Sequence, residues 1–238
     1  VAPSGRGSRR FSPWWICSVG LLLFAALTWQ VAAHGPLRTL DERLGRALAA
    51  DGHLPTGLAE FCADLGNTAV ALPVLCAVMV WAGWQGWRAR SRGVPEGEEP
   101  VRWWLPPLAA GLAMAAVPAL VVPLKLWLAR PGPPPMAGGA HDGFYPSGHG
   151  ATAAVAYGVA ALMVLRRGRR AGRLFAPVVV AVVALLNGAV GLGLVRRGYH
   201  WPLDVLGSWC LAGVLLAVWW AACDRWAGTR TGRAPDGR

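Results

Sequence analysis

The chain has 238 residues, 55 % of them hydrophobic and 15 % charged, with a formal net charge of +11. The apolar residues fall into long blocks with the charges clustered between them. This rules against an ordinary soluble domain, because a membrane-spanning helix needs roughly 20 mostly apolar residues. The excess arginine lies beside the blocks, the pattern of cytoplasmic anchors rather than of a nucleic-acid binder.

Residues 1–13 are rich in Gly, Ser, Pro and Arg and read as a disordered cytoplasmic tail. The first apolar block covers 14–33. It reads as a retained span; the rival reading is a signal peptide, since Arg6, Arg9 and Arg10 precede it and Val31-Ala32-Ala33 resembles a cleavage tail. Residues 34–66 alternate charge with Leu40, Leu44 and Leu48, which predicts a short amphipathic helix on the membrane surface. Further spans are predicted at 67–87, 103–128, 147–165, 174–195 and 201–222, with Trp81, Trp84 and Trp87 as an interfacial belt. Pro118 and Pro123 predict kinks in the third span. A C-terminal tail, 226–238, completes the chain beyond a membrane domain of 14–225. The fold class is all-α, a bundle of six transmembrane helices. The five cysteines form no CxxC or Cys/His metal spacing and read as small apolar packing residues.

The basic N-terminus, the arginines of 88–92 and 166–173 and the basic C-terminus alternate so as to share one side, the cytoplasm by the positive-inside bias. The opposite, outer side of the plasma membrane then holds Lys125, Arg130, His149, Arg196, Arg197 and His200. Charges held there against the bias hint at function.

Lys125 is the only lysine among 23 basic residues, and it closes the third block in Lys125-Leu126-Trp127-Leu128-Ala129-Arg130-Pro131. Lys125 and Arg130 suit an anionic headgroup, or simple snorkelling to the interface. Tyr145-Pro146-Ser147-Gly148-His149 opens the fourth span. Ser147 is a good N-cap, Gly148 allows close approach, and free amides at a helix start attract anions. His149 beside them is either a proton donor or a plain interfacial histidine. His200 and Asp204 stand four apart, on one helix face. The carboxylate can fix the imidazole tautomer and free the other nitrogen as a nucleophile, or it can form a structural pair with Arg196 or Arg197. His141 and Asp142 lie in the 129–146 loop, where Asp142 could orient a base but reads rather as a turn residue, and Asn187 reads as an interhelical hydrogen bonder.

The order of Lys125 with Arg130-Pro131, then Pro146-Ser147-Gly148-His149, then His200-Trp201-Pro202-Leu203-Asp204 resembles the type-2 phosphatidic acid phosphatase, or lipid phosphate phosphatase, superfamily, which includes undecaprenyl diphosphate phosphatase-like proteins. The resemblance covers Lys125 to Asp204. It implies a metal-independent phosphatase without cofactor, acting on a lipid phosphate in the membrane and forming a phosphohistidine. His200 would attack phosphorus, Asp204 support it and His149 protonate the leaving group, while Lys125, Arg130, Ser147, Gly148 and Arg197 hold the phosphate. A phosphatidate or, first, a polyprenyl diphosphate is the expected substrate. The pattern departs twice. Gly132-Pro133 stands where KxxxxxxRP places Arg-Pro, and Gly193-Leu194 where SRxxxxxHxxxD places Ser-Arg. The rival expectation is therefore a weakened or non-catalytic lipid-phosphate binder or transporter of the same fold.

Overall fold

The computed structural model describes residues 13–92, 102–136, 143–168 and 172–227. The expected tails lie almost wholly outside these, as do His141, Asp142, Arg169, Arg170 and the acidic residues Glu96, Glu98 and Glu99. The described residues form eight α-helices: α1 (Pro13–Ala32), α2 (Pro36–Ala50), α3 (Thr56–Asp64), α4 (Thr68–Ser91), α5 (Leu105–Leu128), α6 (Gly148–Arg167), α7 (Phe175–Arg196) and α8 (Pro202–Ala227). A single 3-10 turn, Pro134–Met136, follows α5. No strand occurs among the described residues.

Six helices, α1 and α4 to α8, are long and apolar enough to cross a membrane. α6 is the hub. It is the least apolar of the six and yet the most deeply buried. The reason is in its sequence. Ala151, Ala153, Ala154, Ala156 and Gly158 present little side chain, so α4, α5, α7 and α8 approach it closely. The outer helices carry the opposite signature. Leu22, Val80, Leu112, Leu126 and Leu185 are exposed by 64 % or more. In water such a surface would aggregate; against lipid tails it is the expected face. α1 packs chiefly along α8.

The 34–66 segment is two helices rather than the one predicted. Gly52 and Pro55 break it, and Asp51 accepts the His53 amide at 3.0 Å to make the turn. On α2, Leu40 and Leu44 face outward while Asp41 and Gly45 are buried against α7 and α8. α3 lies against α7. The prolines Pro118 and Pro123 sit within a continuous α5. Among the described residues Asn187 makes no interhelical bond: its amide donates to Val183 one turn back, 2.9 Å away, on α7 itself. Tyr145 is buried where α6 begins. It shares a 3.0 Å hydrogen bond with Thr28 and stacks on Phe24, which ties the loop to α1. Burial pushes its phenol up to about 12.

Candidate active site

One end of the bundle gathers the C-termini of α5 and α7, the N-termini of α6 and α8, and the two short helices α2 and α3. α5 ends where Ala129 takes a left-handed conformation, φ 41°, and its amide closes on the Lys125 carbonyl at 2.9 Å. That cap turns the chain sharply, and for a residue with a Cβ it carries a strain of about 1–2 kcal/mol. The turn delivers Arg130 into the interior, where it is 1 % exposed. The returning segment is pinned by the amides of Gly143 and Phe144, both donating to the Arg130 carbonyl at 3.1 and 3.0 Å.

α6 begins as predicted. Ser147 is its N-cap: the hydroxyl accepts the Gly150 amide at 3.1 Å, and the Ser147 amide donates to the Asp204 carbonyl at 2.9 Å. Gly148 and His149 follow in the first turn, where helix amides are free to meet an anion. At α8, His200 Nδ1 lies 3.3 Å from Asp204 Oδ2. The ionised carboxylate can only accept, so the tautomer that completes this bond carries its proton on Nδ1 and leaves Nε2 with a free lone pair. Asp204 has no exposed surface and is satisfied on every side: Oδ2 also accepts the Trp201 amide at 2.9 Å, and Oδ1 accepts Arg130 Nη1 at 2.5 Å. The ion-pair partner of Asp204 is thus Arg130, not Arg196 or Arg197.

Lys125, Gly148, His149 and His200 line one cavity of about 610 Å³. Most of the rest of its wall is apolar, with Leu72, Leu75 and Met79 from α4 and Met114, Val117 and Val121 from α5. Thr152 of α6 joins the polar end. Among the described residues Lys125 has no salt-bridge partner. Its Nζ lies 5.9 Å from the centre of the Phe144 ring, which meets His200 edge-on at 5.8 Å between centroids.

Arg130, Ser147 and Arg197 do not line this cavity. Arg130 stands behind Asp204, with its second nitrogen on Asp41 Oδ2 at 2.5 Å. Arg197 turns toward α3, pairs with Glu60, and donates to the Tyr199 hydroxyl at 3.3 Å; Tyr199 in turn donates to Glu60 at 2.8 Å. The Tyr199 hydroxyl, seconded by the Arg197 guanidinium against the cost of desolvation, holds the Glu60 carboxyl below its ordinary value. Arg196 is spent on the Ala49 carbonyl of α2 at 2.6 Å.

The two departures from the family pattern have packing reasons. A Cβ on Gly132 would stand 2.6 Å from the Phe144 ring, so the aromatic occupies the volume an arginine would need. A Cβ on Gly193 would come within 2.5 Å of the Ala59 carbonyl, so α3 lies where a larger residue would go. Leu194 is buried, and its carbonyl accepts the amides of Tyr199 and His200 at 2.9 and 3.3 Å. Sequence reasoning missed Asp41 and Phe144. The leucine repeat of α2 drew attention to the wrong face, and Phe144 follows a Gly/Pro-rich loop with no periodicity to place it. No group of three or more His, Cys, Asp or Glu side chains suited to a metal ion occurs among the described residues.

Fold and site together define a membrane-embedded helical bundle that presents two histidines, a lysine and a helix start to one largely apolar cavity. The chain belongs to the PAP2 superfamily, which it matches over residues 106–227. Among solved structures it resembles the first transmembrane PAP2-type phosphatidylglycerolphosphate phosphatase from Bacillus subtilis. That likeness has a TM-score of 0.66 and 22 % identity over 95 % of this chain and 100 % of that one. It also resembles LpxE of Aquifex aeolicus, with a TM-score of 0.50 and 21 % identity over 74 % of this chain and 91 % of that one. The chain therefore has the fold of membrane PAP2 phosphatases. No curated protein matches the sequence significantly.

Proposed function

We propose that this protein is a multi-pass phosphatase of the plasma membrane that hydrolyses a lipid phosphate or diphosphate through a phosphohistidine on His200, with its site at the outer face. The carrying observation is the cavity itself. Its polar end holds Lys125, His149, His200 and the start of α6, and most of its remaining wall is apolar helix surface from α4 and α5. A charged headgroup at one end and a hydrocarbon tail along the other satisfies both halves. Phosphatidates and polyprenyl diphosphates are two substrate types with that shape. The fold of membrane PAP2 phosphatases supports the chemistry; the substrate class rests on the cavity.

In this mechanism the Nε2 lone pair of His200 attacks phosphorus, forming a P–N bond as the bond to the lipid oxygen breaks. His149 donates its proton to that oxygen. Water then enters, His149 takes a proton from it, the P–N bond breaks and phosphate leaves. Asp204 holds the Nδ1 proton and stabilises the charge that develops on the imidazole. Lys125 and the α6 amides, Gly148 among them, face the phosphoryl oxygens. Ser147 acts by capping α6, Arg130 acts from behind Asp204, and Arg197 braces α3 against α7. No metal or cofactor takes part. The arginines clustered at the far end of the bundle support a cytoplasmic placement for that end and for both termini.

The decisive measurement is phosphate release from a panel of lipid phosphates and diphosphates, with EDTA present, by the wild type, His200→Ala and His149→Ala. Turnover by the wild type and its loss in both variants, by about 10³-fold or more, is the expected result. Substantial activity in purified His200→Ala sinks the mechanism. A second reading, a lipid-phosphate binder without turnover, is favoured by the commitment of Arg130 and Arg197 to carboxylates, which leaves Lys125 as the charge at the cavity. The same panel separates the two: a binder retains lipid phosphate and releases none.

A further inference from the structure

Asp41 belongs to neither the motifs nor the cavity, yet it is buried on a largely exposed interfacial helix, with 4 % of its surface accessible. One of its oxygens, Oδ2, accepts Arg130 Nη2 at 2.5 Å, while the other, Oδ1, accepts the Leu203 amide at 2.7 Å. Arg130 Nη1 reaches Asp204 at 2.5 Å, and Asp204 faces His200. Asp41 thus grips Asp204 twice, through the arginine fork and through the backbone of the residue before it. Burial pushes the Asp41 carboxyl up, against the pull of Arg130 and the Leu203 amide. Placing a carboxylate here is therefore costly, and it is held by the bonds just named. The docking of α2 that delivers it is close. A Cβ on Gly45 would stand 2.7 Å from the Trp201 ring, and the Trp201 indole donates to the Pro131 carbonyl at 3.0 Å.

A guanidinium has a rigid, planar fork, and one carboxylate satisfies only part of it. With Asp41 in place, both outer nitrogens are spoken for and the fork is locked. Without it, Nη2 would lie buried and unpaired, and Arg130 would be free to close both nitrogens on Asp204. That would draw Asp204 Oδ2 away from His200 and Trp201. We propose that Asp41 of α2 is a positioning residue for the His200–Asp204 pair, acting through Arg130. The inference rests on the reading of His200 as nucleophile.

The test uses the full chain in lipid nanodiscs with two inorganic probes. Orthovanadate requires the imidazole as a ligand to become five-coordinate, whereas inorganic phosphate requires only Lys125 and the start of α6. Asp41→Asn is expected to weaken vanadate binding about tenfold or more while phosphate binding changes less than about twofold, and to lower kcat on a short-chain phosphatidate far more than it changes KM. A residue that merely anchors α2 would lower the melting temperature and leave the ratio of the two affinities untouched. Gly45→Ala, which pushes α2 off Trp201 without altering a charge, should shift the same ratio in the same direction, and it serves if Asp41→Asn does not fold. Glu42→Gln, which breaks only the neighbouring pair with Arg38, should leave both affinities at wild-type values. Wild-type vanadate binding that persists unchanged in Asp41→Asn and Gly45→Ala overturns the inference alone. Failure of the wild type to bind vanadate overturns the functional reading and the inference with it.

Discussion

Among the described residues, Lys125 is the one Lys or Arg that lines the cavity, and no carboxylate pairs with it. Arg130 has two, Arg197 has Glu60, and Arg196 has a backbone carbonyl. In a cavity walled mainly by hydrocarbon, a single unpaired ammonium acts over a low local dielectric and is correspondingly effective. Replacing Lys125 by Met should therefore lower kcat/KM by about a hundredfold, the scale of removing one preorganised charge-stabilising donor. Lys125→Arg should fall between Met and wild type, because it restores the charge but must fit a planar group beside Phe144. Steady-state kinetics on one soluble short-chain substrate resolve the three. The sequence marked Lys125 by rarity, and it marked His200 and Asp204 by their four-residue spacing. It could not mark which carboxylate Arg130 would meet, because Asp41, Arg130 and Asp204 lie 74 or more residues from one another wherever they are bonded. Spacing reads contacts within a helix turn; contacts between helices leave no such trace.

At the scale of elements, the helices that carry the site were legible because spans are long and uniform, and each begins and ends within a few residues of its expected position. The short helices were not, since two amphipathic turns separated by Gly52 and Pro55 look like one irregular stretch. α3 shows what that cost. It covers the α7 surface at Gly193 and holds Arg197 through Glu60 and Tyr199. Because the folded protein holds Glu60 below its ordinary value of 4.5, this link stabilises the fold above that pH and weakens as the pH falls through the lowered value. Glu60→Gln should melt earlier than wild type at neutral pH, and the gap should close in acid well below 4.5. Melting curves in detergent at the two extremes check this. A gap that widens in acid would contradict the sign.

The molecule as a whole separates two kinds of end. One holds the cavity, α2 and α3; the other holds Arg88, Arg90, Arg166 and Arg167, with Arg166 paired to Asp224. If the arginine-rich end is cytoplasmic, a single cysteine placed at Arg90 in a cysteine-free background should resist a membrane-impermeant maleimide in intact cells. One placed at exposed His53 should react. The reverse pattern would put the site inside the cell. In either case the proposed hydrolysis releases phosphate on the side that bears His53, and an assay with sealed, oriented vesicles reads that directly.

The packing of α1 along α8 has a consequence for how the chain is made. The first and last spans are neighbours, and the charge chain between them is assembled from residues that leave the ribosome far apart: Asp41 after the first span, Arg130 after the third, Asp204 at the start of the sixth. Until the sixth span arrives, Arg130 lacks Asp204, Asp41 lacks the Leu203 amide, and α1 lacks its main partner. Docking of the sixth span is therefore the step that completes the charge chain, and the site comes into being then rather than growing helix by helix.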